Sequence, residues 1–233
     1  MNIFYTPELA NEKTYTLSES ESKHAIRVLR LKQGDVLTLV NGIGSFFEAT
    51  ITSDNAKRCE VEITEIRKED NNKPQLHIAI APTKNNDRTE WFIEKCTEIG
   101  IGQISPILCK HSERKLIKEE RFVKTAISAM KQSLKATLPI VTELTPFNTF
   151  IIEPFDGKKY IAHCYSENQS HYKDLYQKGE NSLVLIGPEG DFSPDEVKLA
   201  IDNGFEPITF GKSRLRTETA GVVACTTFNL LNE

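Results

Sequence analysis

Between Ser182 and Val197 the chain reads SLVLIGPEGDFSPDEV: a short apolar run, a turn flanked by glycine, and a strongly marked helix start. Ser182 to Ile186 is rich in leucine and β-branched residues, the pattern of a buried strand. Gly187-Pro188-Glu189-Gly190 forces a tight turn. Ser193, Pro194 and Glu196 then read as N-cap, first-turn proline and capping-box glutamate. Strand, loop and helix N-terminus in that order specify an α/β unit, and open parallel sheets bind ligands beyond the carboxyl ends of their strands. Glycines in such a loop serve one of two purposes. They let backbone amides approach a cofactor, or they only complete an αβ turn.

The residues either side of this unit extend the pattern. From Leu76 onward strands alternate with helices: strands at 76–81, 104–108, 160–164, 182–186 and 207–210, and helices from Asp87, expected as its cap, to Gly100 and from Arg121 to Leu134. Alternation of this kind means a parallel sheet covered on both faces. The first helix is expected to carry Trp91, Cys96 and Ile99 inward, and the second Phe122, Ala126, Met130 and Leu134. Before it, residues 3–5, 36–40, 46–51 and 59–66 read as short strands, with Asn41-Gly42-Ile43-Gly44 as a hairpin turn, which suggests a small β-barrel. One helix, Glu19 to Leu29, interrupts them and spaces His24, Arg27 and Arg30 by three, along one face. Such a face is either solvated or RNA-binding. KEDNNK at 68–73 is the composition break and linker.

A second marked stretch lies at Phe210 to Asn229, FGKSRLRTETAGVVACTTFN. A strand ends at Gly211, Arg214 and Arg216 follow, and an apolar segment opening at Thr217 or Glu218 extends as a helix to Leu231. LIGPEGDFS followed by G-x-x-x-LRTETA resembles the ribosomal small subunit methyltransferase E family of the SPOUT superfamily. HAIRVLRLKQGD at 24–35, KCTEIGI at 95–101 and KQSLKATLP at 131–139 are similar to further blocks of that family, so the resemblance spans nearly the whole chain. Three positions depart from it. Asp191 stands where the family usually repeats glycine, Lys135 where arginine is usual, and Ser213-Arg214 where arginine then isoleucine is usual. The last leaves open which arginine, Arg214 or Arg216, does which job.

The resemblance implies S-adenosylmethionine-dependent methylation of uridine N3 in 16S rRNA. It implies an α/β fold: a SPOUT-type parallel sheet with a C-terminal trefoil knot over 74–233, preceded by a small PUA-like RNA-binding β-barrel over 1–70. The partners it implies are 16S rRNA or the 30S particle and a second copy of the chain in a homodimer. Cofactor-binding loops are expected at Leu185, Ile186, Gly187, Pro188, Glu189 and Gly190, at Phe210 and Gly211, and at Leu215, Arg216, Thr217 and Thr219. His163, Cys164 and Tyr165 end a neighbouring strand at the same edge. A uridine imide nitrogen is a poor nucleophile while protonated, so the proton must leave and the carbonyl charge must be stabilised. Arg216 suits the second task, and Glu218 or Glu189 could orient it or accept the proton. Alternatively, Glu218 only caps the last helix and pairs with Arg216. Two rivals stand beside base methylation: a SPOUT ribose 2′-O-methyltransferase, which typically carries an S-L-N-V-S type motif in place of Leu215 to Thr219, and a non-catalytic rRNA-binding assembly factor.

Charge distribution bears on the RNA. The formal net charge is −4, yet residues 110–135 hold eight Lys or Arg against three Asp or Glu. That run is either a solvated face or a phosphate-binding one, and it supplies Arg114, Lys115, Lys118 and Lys135 as RNA-binding candidates beside His24, Arg27 and Arg30. Five cysteines, odd in number and widely spaced, argue against a disulfide framework, and no Cys-x-x-Cys or His-Glu-x-x-His pattern supports a metal. GFEPITFGKS has six residues between its first glycine and Gly-Lys-Ser where a P-loop has four. Neither G-x-G-x-x-G nor G-x-S-x-G is present. The start MNIFYTPELANEK lacks the features of a signal peptide, and no apolar run approaches the roughly 18 residues of a membrane span. The expected compartment is the cytoplasm.

Overall fold

The computed structural model describes residues 2–69, 73–165 and 170–233. It divides into two compact units, Met1–Asn72 with Ile127–Leu138, and Lys73–Ala126 with Pro139–Glu233. Half of the predicted linker, residues 70–72, lies outside the described residues.

In the first unit β1 (Ile3–Tyr5), β2 (Thr14–Thr16), β3 (Val36–Val40), β4 (Ser45–Ser53) and β5 (Glu60–Lys68) form one sheet in the order β1-β3-β4-β5-β2. β1 pairs with β3 in parallel and the remaining pairs are antiparallel. The β3–β4 hairpin turns where expected. Asn41 accepts from the amides of Ile43 and Ser45 at 3.1 Å each through its side-chain oxygen, and Gly42 and Gly44 take positive φ. Register shifts after Glu48 and Ile51 bend the longest strands, closing the sheet around Phe4, Leu37, Leu39, Phe47 and Val61. The returning segment 127–138 adds Met130 and Ala136 to a second cluster with Ile3, Val40 and Phe46. Lys131 pairs with Glu21 at 2.7 Å.

The helical stretch keeps nearly its expected length but changes type. α1 (Glu19–Lys23), capped by Ser18, gives way to a π turn over His24–Val28, and Arg30 lies beyond it at φ 59°. His24, Arg27 and Arg30 therefore do not repeat on one α-helical face. The wider π turn changes the angular step per residue, and left-handed Arg30 leaves the helix altogether.

The second unit runs β6 (Leu76–Ile80), α2 (Asn86–Ile99), β7 (Gln103–Leu108), α3 (Glu119–Gln132), β8 (Ile140–Val141), β9 (Thr145–Pro146), α4 (Phe147–Phe150) and β10 (Lys158–Ala162). It continues through β11 (Ser170–His171), α5 (Tyr172–Leu175), β12 (Ser182–Ile186), α6 (Pro194–Asp202), β13 (Glu206–Thr209) and α7 (Thr217–Asn232). α3 crosses the boundary, giving Phe122 and Ala126 to this unit and Ala129 and Met130 to the other. The sheet order is β11-β13-β10-β12-β6-β7-β8, with β9 also on β7, and every pair is parallel. β6 connects through α2 to β7 on one side and lies against β12 on the other. That change of direction is the switch point where a parallel sheet opens a crevice.

α7 packs on α2 through small residues. Gly221 sits so close that a Cβ built on it would lie 2.4 Å from Phe92, and the Cys96 thiol donates to the Gly221 carbonyl at 3.8 Å. Asn229 donates to the carbonyl of Gly100 at 3.0 Å, closing the end of α2. Two expectations for α2 need correction. Asn85, not Asp87, caps it, and Trp91 is 43% exposed while Phe92, Ile93 and Cys96 take the inward face. Trp91 lies about 100° from Phe92 around the helix, so burying Phe92 and Cys96 turns it outward.

Candidate active site

Three loops converge at the switch point. The amide of Ala81, after β6, donates to the carbonyl of Ile186 at the end of β12 (3.0 Å), and the Thr217 hydroxyl donates to the carbonyl of Gly187 at 3.0 Å. The amide of Lys84 donates to Glu189 Oε1 at 3.0 Å. GPEG, the loop after β6 and the start of LRTETA are thus tied together at one sheet edge. α6 leaves the same loop with the predicted cap: Ser193 and Glu196 bond reciprocally, and Pro194 occupies the first turn. The remaining Glu196 oxygen, Oε1, accepts from the amide of Lys110 at 2.8 Å.

Asp191 explains its own departure from glycine. Its φ is 63°, the left-handed region that glycine favours and that aspartate tolerates better than most residues. Its carboxylate accepts from the amide of Cys164 at 2.9 Å and of Phe192 at 2.8 Å. The Tyr165 hydroxyl donates to the carbonyl of Phe192 at 2.7 Å, so the segment 163–165 is brought to the GPEGD loop from both ends. Burial lowers the pKa of His163 against the opposing pull of Asp191. Burial raises that of Cys164, which Asp191 raises further and Arg214 opposes.

Glycines mark where this edge is filled and where it is open. A Cβ on Gly187 would come within 3.0 Å of the buried Phe192 ring, whereas one on Gly211, at φ 123°, would meet nothing within 4 Å. Phe210 stacks edge-on against Tyr172 at 5.9 Å, and Leu215 and Thr219 are half-buried. Leu185, Ile186 and Pro188 are buried, and Gly190 is exposed against His111.

The expected Arg216–Glu218 pair is absent. Arg216 caps α7 with its backbone alone, its carbonyl accepting from Ala220 at 2.8 Å, and its side chain is exposed. Glu218 is 7% exposed and faces Arg88 instead, with Oε1 3.8 Å from the Arg88 Nε. Its other oxygen, Oε2, is buried with no hydrogen-bond partner among the described residues. A buried carboxylate oxygen left unpaired is costly and marks a place where a donor belongs. Sequence reasoning missed Arg88, because an arginine in the first turns of a helix carries no signal of a partner 130 residues later in the chain.

Two of the Arg114 donors reach the loop after β6: its Nε donates to the carbonyl of Thr83 at 3.0 Å and its Nη2 to that of Lys84. Lys115 and Lys118 are exposed. In the first unit His24 lies edge-on to Phe4 at 5.8 Å, Arg27 and Arg30 are exposed, and Lys135 is half-buried. Among the described residues no group of His, Cys, Asp or Glu is placed to hold a metal ion, and no helix is long and apolar enough to cross a membrane.

A family model described as an RNA methyltransferase domain matches residues 69–229, and one described as an RNA methyltransferase PUA domain matches 17–64. With a curled N-terminal sheet and a parallel sheet whose loops gather at the switch point, these define the class: an RNA methyltransferase carrying a PUA domain. A curated relative from Synechocystis, ribosomal RNA small subunit methyltransferase E, is 32% identical over 99% of this chain and 78% of its own length. The chain belongs to the ribosomal RNA small subunit methyltransferase E family. Two solved structures agree in fold. A probable rRNA-methyltransferase from Porphyromonas gingivalis is 42% identical with a TM-score of 0.92, covering 100% of this chain and 98% of that one. A family member from Neisseria gonorrhoeae bound to S-adenosyl methionine is 28% identical with a TM-score of 0.87, again covering 100% and 98%.

Proposed function

We propose that this rRNA methyltransferase uses S-adenosylmethionine to methylate N3 of a uridine in 16S rRNA, at the crevice between β6 and β12. The observation that carries the proposal is Glu218: a buried carboxylate, one oxygen near Arg88 and the other unpaired, two residues from exposed Arg216. The residues fit the cofactor. Backbone-lined loops end at GPEG and at the open Gly211, with apolar Leu185, Ile186 and Leu215 beside them, and a bound S-adenosylmethionine supplies an electrophilic methyl group on its sulfonium.

The chain's own groups manage the proton and the charge. Glu218 Oε2 accepts the imide proton of the uracil ring, and Arg216 faces the negative charge that then spreads onto the flanking carbonyl oxygens. On this reading Glu189, whose Oε1 accepts from the Lys84 amide, holds the loop in place. His24, Arg27, Arg30, Lys115, Lys118 and Lys135 are the proposed phosphate contacts. A homodimer, a cytoplasmic site of action and the C-terminal trefoil knot belong to the same proposal, on family grounds.

The test is incubation of the protein and labelled cofactor with 30S particles, or free rRNA, from a strain lacking the gene, followed by mass analysis of the nucleosides. N3-methyluridine is the expected product. A 2′-O-methylated nucleoside would make it a ribose methyltransferase, and no product with tight RNA binding would make it an assembly factor.

A further inference from the structure

We propose that Arg114 is a positioning residue of the cofactor site, clamping the loop after β6 in register with the GPEG turn. The inference rests on the reading of that crevice as the cofactor site. A guanidinium carries its donors in a rigid planar fork, so bonding two successive carbonyls, those of Thr83 and Lys84, fixes the intervening peptide plane. The amide of the same Lys84 donates to Glu189 at 3.0 Å. Arg114, Lys84 and Glu189 therefore form a chain of contacts from the loop after β7, through the loop after β6, to the loop after β12.

The segment bearing Arg114 is itself anchored to the β12 loop. The amide of Lys110 donates to Glu196, at the capping box of α6, and His111 Nδ1 lies 3.1 Å from the carbonyl of Asp191. Within the segment the amide of Cys109 donates to Ser112 at 3.0 Å, and Glu113 pairs with the Lys84 ammonium at 2.8 Å. Residues 109–114 thus form a strap across the open side of the switch point. A single ammonium cannot span two carbonyls with fixed geometry, so lysine is a poor substitute here although it keeps the positive charge.

The experiment compares the full-length protein with Arg114→Lys, Glu189→Ala and the double variant. Arg114→Lys should weaken S-adenosylmethionine binding, read by calorimetry, by about tenfold or more, the scale of a lost charged hydrogen bond. Its effect should shrink in the Glu189→Ala background, because the two act along one path. The salt dependence of rRNA binding, read on Arg114→Gln because lysine keeps the charge, should not change. Unchanged cofactor affinity, additive losses, or a salt slope lowered by roughly 0.7 to 0.9 would overturn the inference, the last by making Arg114 a phosphate contact. Hydrogen exchange on the cofactor-free chain gives an independent reading: residues 187–191 should exchange faster in Arg114→Lys, and unchanged exchange would refute the strap. If the unaltered protein binds no S-adenosylmethionine, the proposed function fails, and the exchange measurement still decides the role of Arg114.

Discussion

The hydroxyl of Thr217 donates a buried hydrogen bond of 3.0 Å to the carbonyl oxygen of Gly187, thirty residues earlier. It joins the first residue of α7 to the turn after β12, the two motifs by which the family is recognised. Thr217→Val keeps the shape but strips the donor and leaves a buried carbonyl unpaired. The expected cost is about 1–3 kcal/mol in urea unfolding, with Thr217→Ser close to the unaltered protein. Equal midpoints for all three proteins would show that the bond contributes nothing.

Gly187 and Gly190 should differ, although both lie in GPEG. A Cβ on Gly187 would press 3.0 Å from the ring and 3.2 Å from the backbone nitrogen of fully buried Phe192, which cannot give. A Cβ on Gly190 would lie 3.1 Å from the Cβ of His111, an exposed residue, with no backbone atom among its nearest neighbours. Gly187→Ala should therefore destabilise the fold by about 1–3 kcal/mol, the scale of overpacking, and Gly190→Ala much less. Thermal unfolding of the two variants side by side gives the order, and a larger loss for Gly190→Ala would contradict the packing argument.

Arg216→Ala should lower single-turnover methylation by about a hundredfold or more, the scale of one lost electrostatic stabiliser, with little change in cofactor affinity. Arg214→Ala should not, because its charge acts on Cys164 and it lies four residues before Glu218 rather than two. The reverse ranking would transfer the role to Arg214.

Acid should weaken the second unit through His77. Its ring is buried, its Nε2 lies 2.8 Å from Ser105 Oγ, and burial lowers its pKa from 6.5 to about 4. Below pH 6.5 the unfolded chain takes up a proton that the folded chain refuses. The contribution is complete above pH 6.5 and falls as the pH drops towards 4, by about 3 kcal/mol in all. His77→Gln should flatten the stability profile between pH 7 and pH 4 by roughly that amount. Parallel profiles for the two proteins would rule the residue out.

Local chemistry was legible where a segment determines its own structure. Ser193, Pro194 and Glu196 announce the start of α6, and the apolar run 182–186 matches β12 residue for residue. Segments whose structure depends on distant partners were not legible. β2 is three residues long and exists because it pairs with β5, nearly fifty residues further on. Arg114 reads as one charge among many until its acceptors, two backbone carbonyls about thirty residues away, are known. Glu218 is a first-turn acid in the sequence, and only packing reveals that it is buried and faces Arg88.

Met130 and Ala136 complete the apolar cluster of Ile3, Val40 and Phe46, yet they are encoded beyond the first strand pair of the parallel sheet. A nascent chain that has emerged only as far as residue 72 exposes that cluster to water. That cluster stays uncovered until residue 138 has left the exit tunnel, by which time β6, α2 and β7 are also free to assemble. Maturation of the N-terminal sheet is thus coupled to synthesis of the parallel sheet, and a gene fragment cut at residue 72 should expose the apolar cluster that Met130 and Ala136 cover.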